Sequence, residues 1–286
     1  IINYLKKGGV PIVTGFQGVN SDFRITTLER GGSDTSAILC AKFFNAEKCI
    51  IYTDVEGVFT TDPNLTKAAK KIDKISYEEM LEMASLGAKV MQPASIQEAR
   101  LNRIEVDVRS TFSKKLGTTI TKKKNIINKN TIRGISFTKN DAKITLIGVK
   151  DKPGVAASIF KPLYENSINV DMVVQNISAN SRETDLTFTT KLEDLIKTKK
   201  ILQTNKSIKF KNLIVNKNVS KVSIIGVGMI TTPGVTYRMF KALAKKKINI
   251  EVISTSEIKI SVLINKKNLK KSVEILHQEF KLNYNL

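Results

Sequence analysis

The sequence predicts a mixed α/β chain in two parts. A mostly parallel α/β layer over residues 1–120 is followed by two ferredoxin-like βαββαβ modules, the first inserted in the second. Three observations lead there. Strand-like and helix-like stretches alternate through the first 120 residues. Beyond them a pattern of strand, Pro-Gly turn, helix and two strands occurs twice. A lone strand, Thr131–Phe137, precedes the first copy, whereas the second copy ends without its last strand.

In the first part, Val10-Pro11-Ile12-Val13-Thr14-Gly15 reads as a short buried strand entering a glycine turn. Asp34–Phe44 has helical spacing. Lys48–Tyr52 is apolar on both faces, as a strand of a parallel sheet requires. Ser76-Tyr77-Glu78-Glu79 is a capping box that opens an amphipathic helix, with Gly87 as its stop. Gln97–Arg103 reads as another helix and Glu105–Arg109 as a strand. Residues 113–130 turn polar, basic and non-periodic, marking a boundary and a solvated linker.

The duplication is direct. Lys143–Ser178 and Lys221–Ser256 place Pro153 against Pro233, Gly154 against Gly234 and Asn169 against Asn249, each 80 residues apart. That offset is too long for a solenoid repeat. The first copy has a fourth strand, Asn212–Asn216. The second stops at helix Leu269–Phe280, so Thr131–Phe137 is expected to complete its sheet and cover an open edge. The division is therefore 1–120, then 131–218 with its preceding strand 131–137, then 219–286.

Composition narrows the function. The net charge of +21 would suit a nucleic-acid binder, but the lysines are scattered and no aromatic stripe interleaves with them, so nucleic-acid binding is not expected. No apolar run reaches the roughly 18 residues needed to cross a bilayer. The opening Ile1-Ile2-Asn3-Tyr4-Leu5 is neither a signal nor a transit peptide and reads as a helix already under way, so residues upstream are expected. Cys40 and Cys49 fit buried free thiols, and the expected location is the cytoplasm. His277, the single histidine, lies on an amphipathic helix where packing is its expected role.

Two segments carry candidate chemistry. In Thr26–Thr35, Gly31 and Gly32 let backbone amides approach an anion at a helix start, Ser33 adds a donor, and Arg30 can grip a carboxylate or phosphate with two hydrogen bonds. A tight turn capped by Asp34 would use the same glycines. Tyr52–Pro63 follows a buried strand, and ligands in open α/β sheets bind beyond such carboxyl ends, near Thr53 and Asp54. Its acidic spacing fails the calcium-loop pattern.

The segments RGGSDT, TDVEGVFTTDP and ISYEEMLEMASLGAKVM, in that order and followed by paired ACT-like modules, resemble the aspartate kinases along essentially the whole chain. The resemblance implies the C-terminal part of an amino-acid kinase α/β/α sandwich followed by two ACT modules. It implies transfer of the ATP γ-phosphoryl group to the side-chain carboxylate of aspartate, with Mg²⁺ accompanying the nucleotide. Arg30, Gly31, Gly32 and Ser33 would hold aspartate; Thr53, Asp54, Phe59, Thr60, Asp62 and Lys89 would line the ATP pocket. Lysine or threonine would bind as effector at Asp151, Gly154, Ala156, Asn169, Val170 and Gln175 of the first module. In the second module Val235, Thr236, Asn249, Ile250 and Ser256 would serve. A homodimer or higher oligomer through the ACT modules is also implied. Glu29, Phe59, Asn64 and Met91-Gln92-Pro93-Ala94 depart from the family pattern, and its Lys-Phe-Gly-Gly-Thr-Ser loop does not occur in the sequence. The alternative is a non-catalytic, amino-acid-binding regulatory subunit, which would not need the RGGSDT and TDVEGVFTTDP segments.

Overall fold

A computed structural model describes residues 1–87, 90–123, 126, 130–177, 183–205 and 207–283. The first part opens with the short helix α1 (Ile2–Lys6) and the hairpin β1 (Gln17–Val19) and β2 (Ile25–Thr27). Then come α2 (Gly32–Phe43), β3 (Lys48–Thr53), β4 (Lys74–Ser76), α3 (Tyr77–Ser85), α4 (Pro93–Asn102), β5 (Glu105–Ser110) and β6 (Thr118–Thr121). The four later strands form one sheet in the order β3-β5-β6-β4. Pairs β3/β5 and β4/β6 are parallel, whereas β5/β6 is antiparallel, so the layer is mixed.

Local chemistry accounts for the helix ends. Ser76 accepts the Glu79 amide while the Glu79 carboxylate takes the Ser76 amide, closing the expected capping box of α3. Pro93 starts α4 earlier than the apolar spacing suggested, because a proline in the first turn sacrifices no helical hydrogen bond. Two expectations fail. Val10–Gly15 forms no strand, and Ile12 is 96% exposed. A buried parallel strand needs a hydrogen-bonded neighbour, and among the described residues none pairs with this segment. The stretch read as linker also contributes β6, because Thr118, Ile120 and Thr121 are buried against β4 and β5.

The second part is one six-stranded sheet, in the order β11-β12-β10-β7-β9-β8. Its elements are β7 (Gly134–Lys150), α5 (Val155–Glu165), β8 (Val170–Ile177), β9 (Glu183–Lys191), α6 (Leu195–Thr204), β10 (Asn212–Ile225), α7 (Val235–Lys245), β11 (Ile250–Thr255), β12 (Lys259–Asn265) and α8 (Leu269–Glu279). The long strands β7 and β10 each serve both modules. Lys143–Ile147 pairs with Asn212–Asn216 in the first, and Gly134–Thr138 pairs with Lys221–Ile225 in the second. The lone strand thus completes the second module, and the first is inserted within it. Each has its own core: Ile144, Leu146, Leu163 and Phe188 in one, Ile135, Val222, Val262 and Leu276 in the other. No described helix is long and apolar enough to cross a membrane.

Candidate active site and effector modules

The RGGSDT loop is shaped by its glycines. Gly31 takes the left-handed φ of 82° and caps α2, a conformation that favours glycine. A Cβ on Gly31 would overlap the Gln92 side chain, and one on Gly32 would overlap Leu28. Asp34 and Thr35 donate their amides to the Gly31 carbonyl as the helix begins. The loop is braced from behind: Phe16 donates its amide to Ser36 Oγ at 3.2 Å, Ser36 Oγ donates to the Gly32 carbonyl, and Leu28 donates to the Phe16 carbonyl. Arg30 and Ser33 remain exposed at the mouth of the helix N-terminus, which favours an anion there. Gln92 therefore stands against the loop, so one of the departures from the family pattern borders the proposed aspartate site. Behind the loop, burial pushes the Asp34 carboxyl up and the Cys49 thiol up to about 11, so that thiol stays neutral.

The second segment begins where β3 ends. Thr53 donates its hydroxyl to Asp54 Oδ1 at 3.1 Å, and the Asp54 side chain is exposed. Residues 58–72 then double back as an antiparallel hairpin: Ile72 donates to the Val58 carbonyl, Thr60 to the Lys70 carbonyl, and Lys70 back to Thr60 Oγ1. Thr118 Oγ1 accepts the Val58 amide and donates to the Ile72 carbonyl, tying the hairpin base to β6. Asp62 is half-buried and accepts the Asn64 amide at 2.8 Å. Phe59 is half-buried beside it. Thr60 departs from its expected role: it is fully buried, its hydroxyl meets Lys70 N and His277 Nε2, and its carbonyl accepts Ile135 N. It has no polar atom left to turn toward a nucleotide. Lys89 lies outside the described residues.

This hairpin and α3 are welded to the second module. Glu79 Oε1 accepts the Val227 amide at 3.0 Å, Arg133 donates to the Lys74 carbonyl, Lys259 pairs with Glu82 at 2.9 Å, and Ile225 packs into the first part's core. Burial lowers the Arg133 pKa and also that of His277. The ordinary histidine value is about 6.5. Below it the unfolded chain takes up a proton that the folded chain refuses, so stability is full above that value and is lost as pH falls through the window beneath it. Thermal melts at about pH 5.5 and pH 7.5 are expected to differ less for His277→Gln than for the parent. An equal pH slope in both would contradict this.

In the first module, Gly154 caps α5 at φ 88°, and Gly234 caps α7 at φ 86° in the second. Asp151 Oδ1 accepts Gln175 Nε2 at 3.4 Å, bringing the Pro-Gly turn to β8. Gly154, Ala156 and Asn169 are exposed nearby and Val170 is half-buried. In the second module Thr236 and Asn249 are exposed and Ile250 is half-buried. Val235 instead sits in the core, leaving only its backbone for a ligand. Ser256 lines the cleft against Tyr77, Glu78 and Arg100 at the seam with the first part. The modules clasp each other through Lys143–Glu251 at 2.5 Å and through Lys221–Asp171. Burial works against the Asp171 carboxylate, but Lys221 outweighs it and holds the carboxyl below its ordinary range.

The model for the amino acid kinase family matches residues 1–110, and that for the ACT domain matches residues 144–205 and 222–280. The aspartokinase of Pseudomonas aeruginosa is 47% identical over 281 residues, covering 97% of this chain and 68% of that protein. The chain belongs to the aspartate kinase family. Among solved structures, the aspartate kinase of Clostridium acetobutylicum matches with a TM-score of 0.85 at 26% identity, over 93% of this chain and 62% of that one. Aspartokinase III of E. coli, solved with aspartate and ADP in an R-state, matches with a TM-score of 0.77 at 30% identity, over 96% of this chain and 61% of that one. The same enzyme solved with lysine and aspartate in a T-state matches at 0.78 and 29%, over 98% of this chain and 62% of that one. The chain thus spans about two thirds of the length of these aspartate kinases.

Sequence reasoning missed Glu79, Arg133 and His277 as joints between the kinase part and the second module. Their partners lie 148, 59 and 217 residues away, and no spacing rule reaches that far. The one available signal was an ionisable residue on each apolar face.

Proposed function

We propose that the chain forms the aspartate side and the regulatory region of an aspartate kinase. In that reaction an oxygen of the L-aspartate side-chain carboxylate attacks the γ-phosphorus of ATP, the bond to ADP breaks, and 4-phospho-L-aspartate forms, opening lysine, threonine and methionine synthesis. The glycine-shaped loop at the N-terminus of α2 carries the reading: the positive end of the helix and the exposed Arg30 and Ser33 suit the substrate α-carboxylate. Thr53, Asp54, Phe59 and Asp62 lie along the adjoining segment, and the family resemblance gives Lys89 to the same nucleotide. Such chemistry needs positioning and cationic stabilisation and no covalent nucleophile. Among the described residues no cluster of His, Cys, Asp or Glu is arranged to hold a metal. Mg²⁺ would accompany the nucleotide, and Asp54 would offer it an exposed carboxylate oxygen.

The 286 residues alone are expected to show no aspartate-dependent ATP turnover, because the lysine-bearing Lys-Phe-Gly-Gly-Thr-Ser loop of the family does not occur in them. Robust turnover from the purified chain would overturn that assignment of roles.

The regulatory half is testable on the chain itself. An amino acid at the Asp151–Ala156 turn would place its carboxylate on the α5 amides and its ammonium by the Asp151 carboxylate. Pairing of first-module sheets across a two-fold axis would be linked to that binding, each strengthening the other equally. Lysine or threonine is expected to raise the melting temperature, and Asp151→Ala to abolish the rise with the fold intact. Ultracentrifugation with each amino acid reads the dimer. If neither binds at millimolar concentration, the modules dimerise the enzyme without sensing amino acids.

A further inference from the structure

Helix α8 closes the second module with Leu269, Val273, Leu276 and Phe280 in the core, and beside them it buries one side chain that packing alone does not call for. His277 is fully buried, its Nε2 lies 2.9 Å from Thr60 Oγ1, and its Nδ1 has no partner among the described residues. A leucine would fill the space without orphaning a ring nitrogen, and an unpartnered buried polar atom is costly. The polar contact that remains is directed at the kinase part. Thr60 Oγ1 also accepts the Lys70 amide at 3.0 Å, so one hydroxyl ties the hairpin to His277 Nε2, whichever ring tautomer is present. The Thr60 carbonyl meanwhile accepts Ile135 N at 2.7 Å. The first strand and the last helix of the second module therefore grip one residue from both sides. Its neighbours Phe59 and Asp62 are the residues assigned to the nucleotide.

We propose that His277 is a positioning residue for the nucleotide hairpin, holding Thr60 so that Phe59 and Asp62 present the geometry that ATP requires. The proposal rests on the reading of those two residues as nucleotide contacts. Helix α7, which carries the Pro-Gly turn of the second module, packs directly on α8, so the same anchor is placed to transmit a shift of that module to the hairpin.

The test uses His277→Leu, His277→Gln and Thr60→Val in the enzyme that contains this chain. His277→Leu is expected to raise KM for ATP about 10-fold, the size of one lost buried hydrogen bond, with kcat and KM for aspartate within about twofold. His277→Gln, whose amide reaches toward the former Nε2 position, is expected to restore KM. Hydrogen exchange reads the anchor without catalysis: the Thr60 and Ile72 amides are expected to exchange about 10-fold faster in His277→Leu, while the α3 amides are unchanged. Accelerated exchange in an enzyme that transfers no phosphate supports the anchor and sinks the functional reading. Unchanged exchange, or KM for both substrates rising together, overturns the anchor. If His277→Leu fails to fold, Thr60→Val removes the same bond from the other side, and exchange unaltered there overturns the proposal equally.

Discussion

Replacing Arg30 by alanine in the enzyme that contains this chain is expected to lower kcat/KM for aspartate by about 100-fold, with ATP affinity nearly unchanged. That factor corresponds to about 2.7 kcal/mol, within the roughly 1.5–3 kcal/mol of a charge-assisted hydrogen bond. Arg30 stands exposed where the left-handed Gly31 opens α2, so truncation removes a ligand without emptying a core. Arg30→Lys is expected to recover little, since an ammonium cannot reproduce the planar fork that grips both carboxylate oxygens. A collapse of ATP binding with an unaltered KM for aspartate would move the loop to the other substrate.

Phe188→Ala is expected to destabilise the first ACT module by about 3–5 kcal/mol. The ring on β9 is fully buried and meets Phe160 edge to face with centroids 5.3 Å apart. It is among the largest side chains buried in the chain, and the surrounding Ile144, Leu146 and Leu163 are held by strand pairing that resists collapse into the void. Effector-induced stabilisation is expected to disappear with it, since β8 and the Asp151 turn hang on the same sheet. Denaturant unfolding checks the figure; a loss under about 1 kcal/mol would mean that the site relaxes to fill the cavity.

Much of the fold is legible in the sequence because its signals are local or repeated. Ser76 and Glu79 announce a helix start within four residues, and Pro153-Gly154 and Pro233-Gly234 mark the same turn twice. Thr131–Phe137 was legible by subtraction, as a strand without a partner before a module without an edge. The RGGSDT glycines are legible since a left-handed cap demands Gly31 and the close approach of Leu28 demands Gly32. What stayed hidden depends on distant company. Val10–Gly15 has strand composition, but a strand exists only when a neighbour takes its hydrogen bonds. Thr118–Thr121 looks like linker because its burial comes from β4 and β5, not from its own pattern. Thr60 reads as a pocket residue until α8 and β7 are seen to claim its hydroxyl and carbonyl.

In the proposed function the α2 loop receives aspartate for phosphorylation on its side chain. Hydroxylamine trapping of the acyl phosphate, in the enzyme joining these 286 residues to the family's lysine-bearing loop, decides whether it does. The trapped product is expected to require both ATP and L-aspartate, to be negligible with glutamate, and to fall about 100-fold in Arg30→Ala at limiting aspartate. Equal product from glutamate, or product insensitive to Arg30, would contradict it.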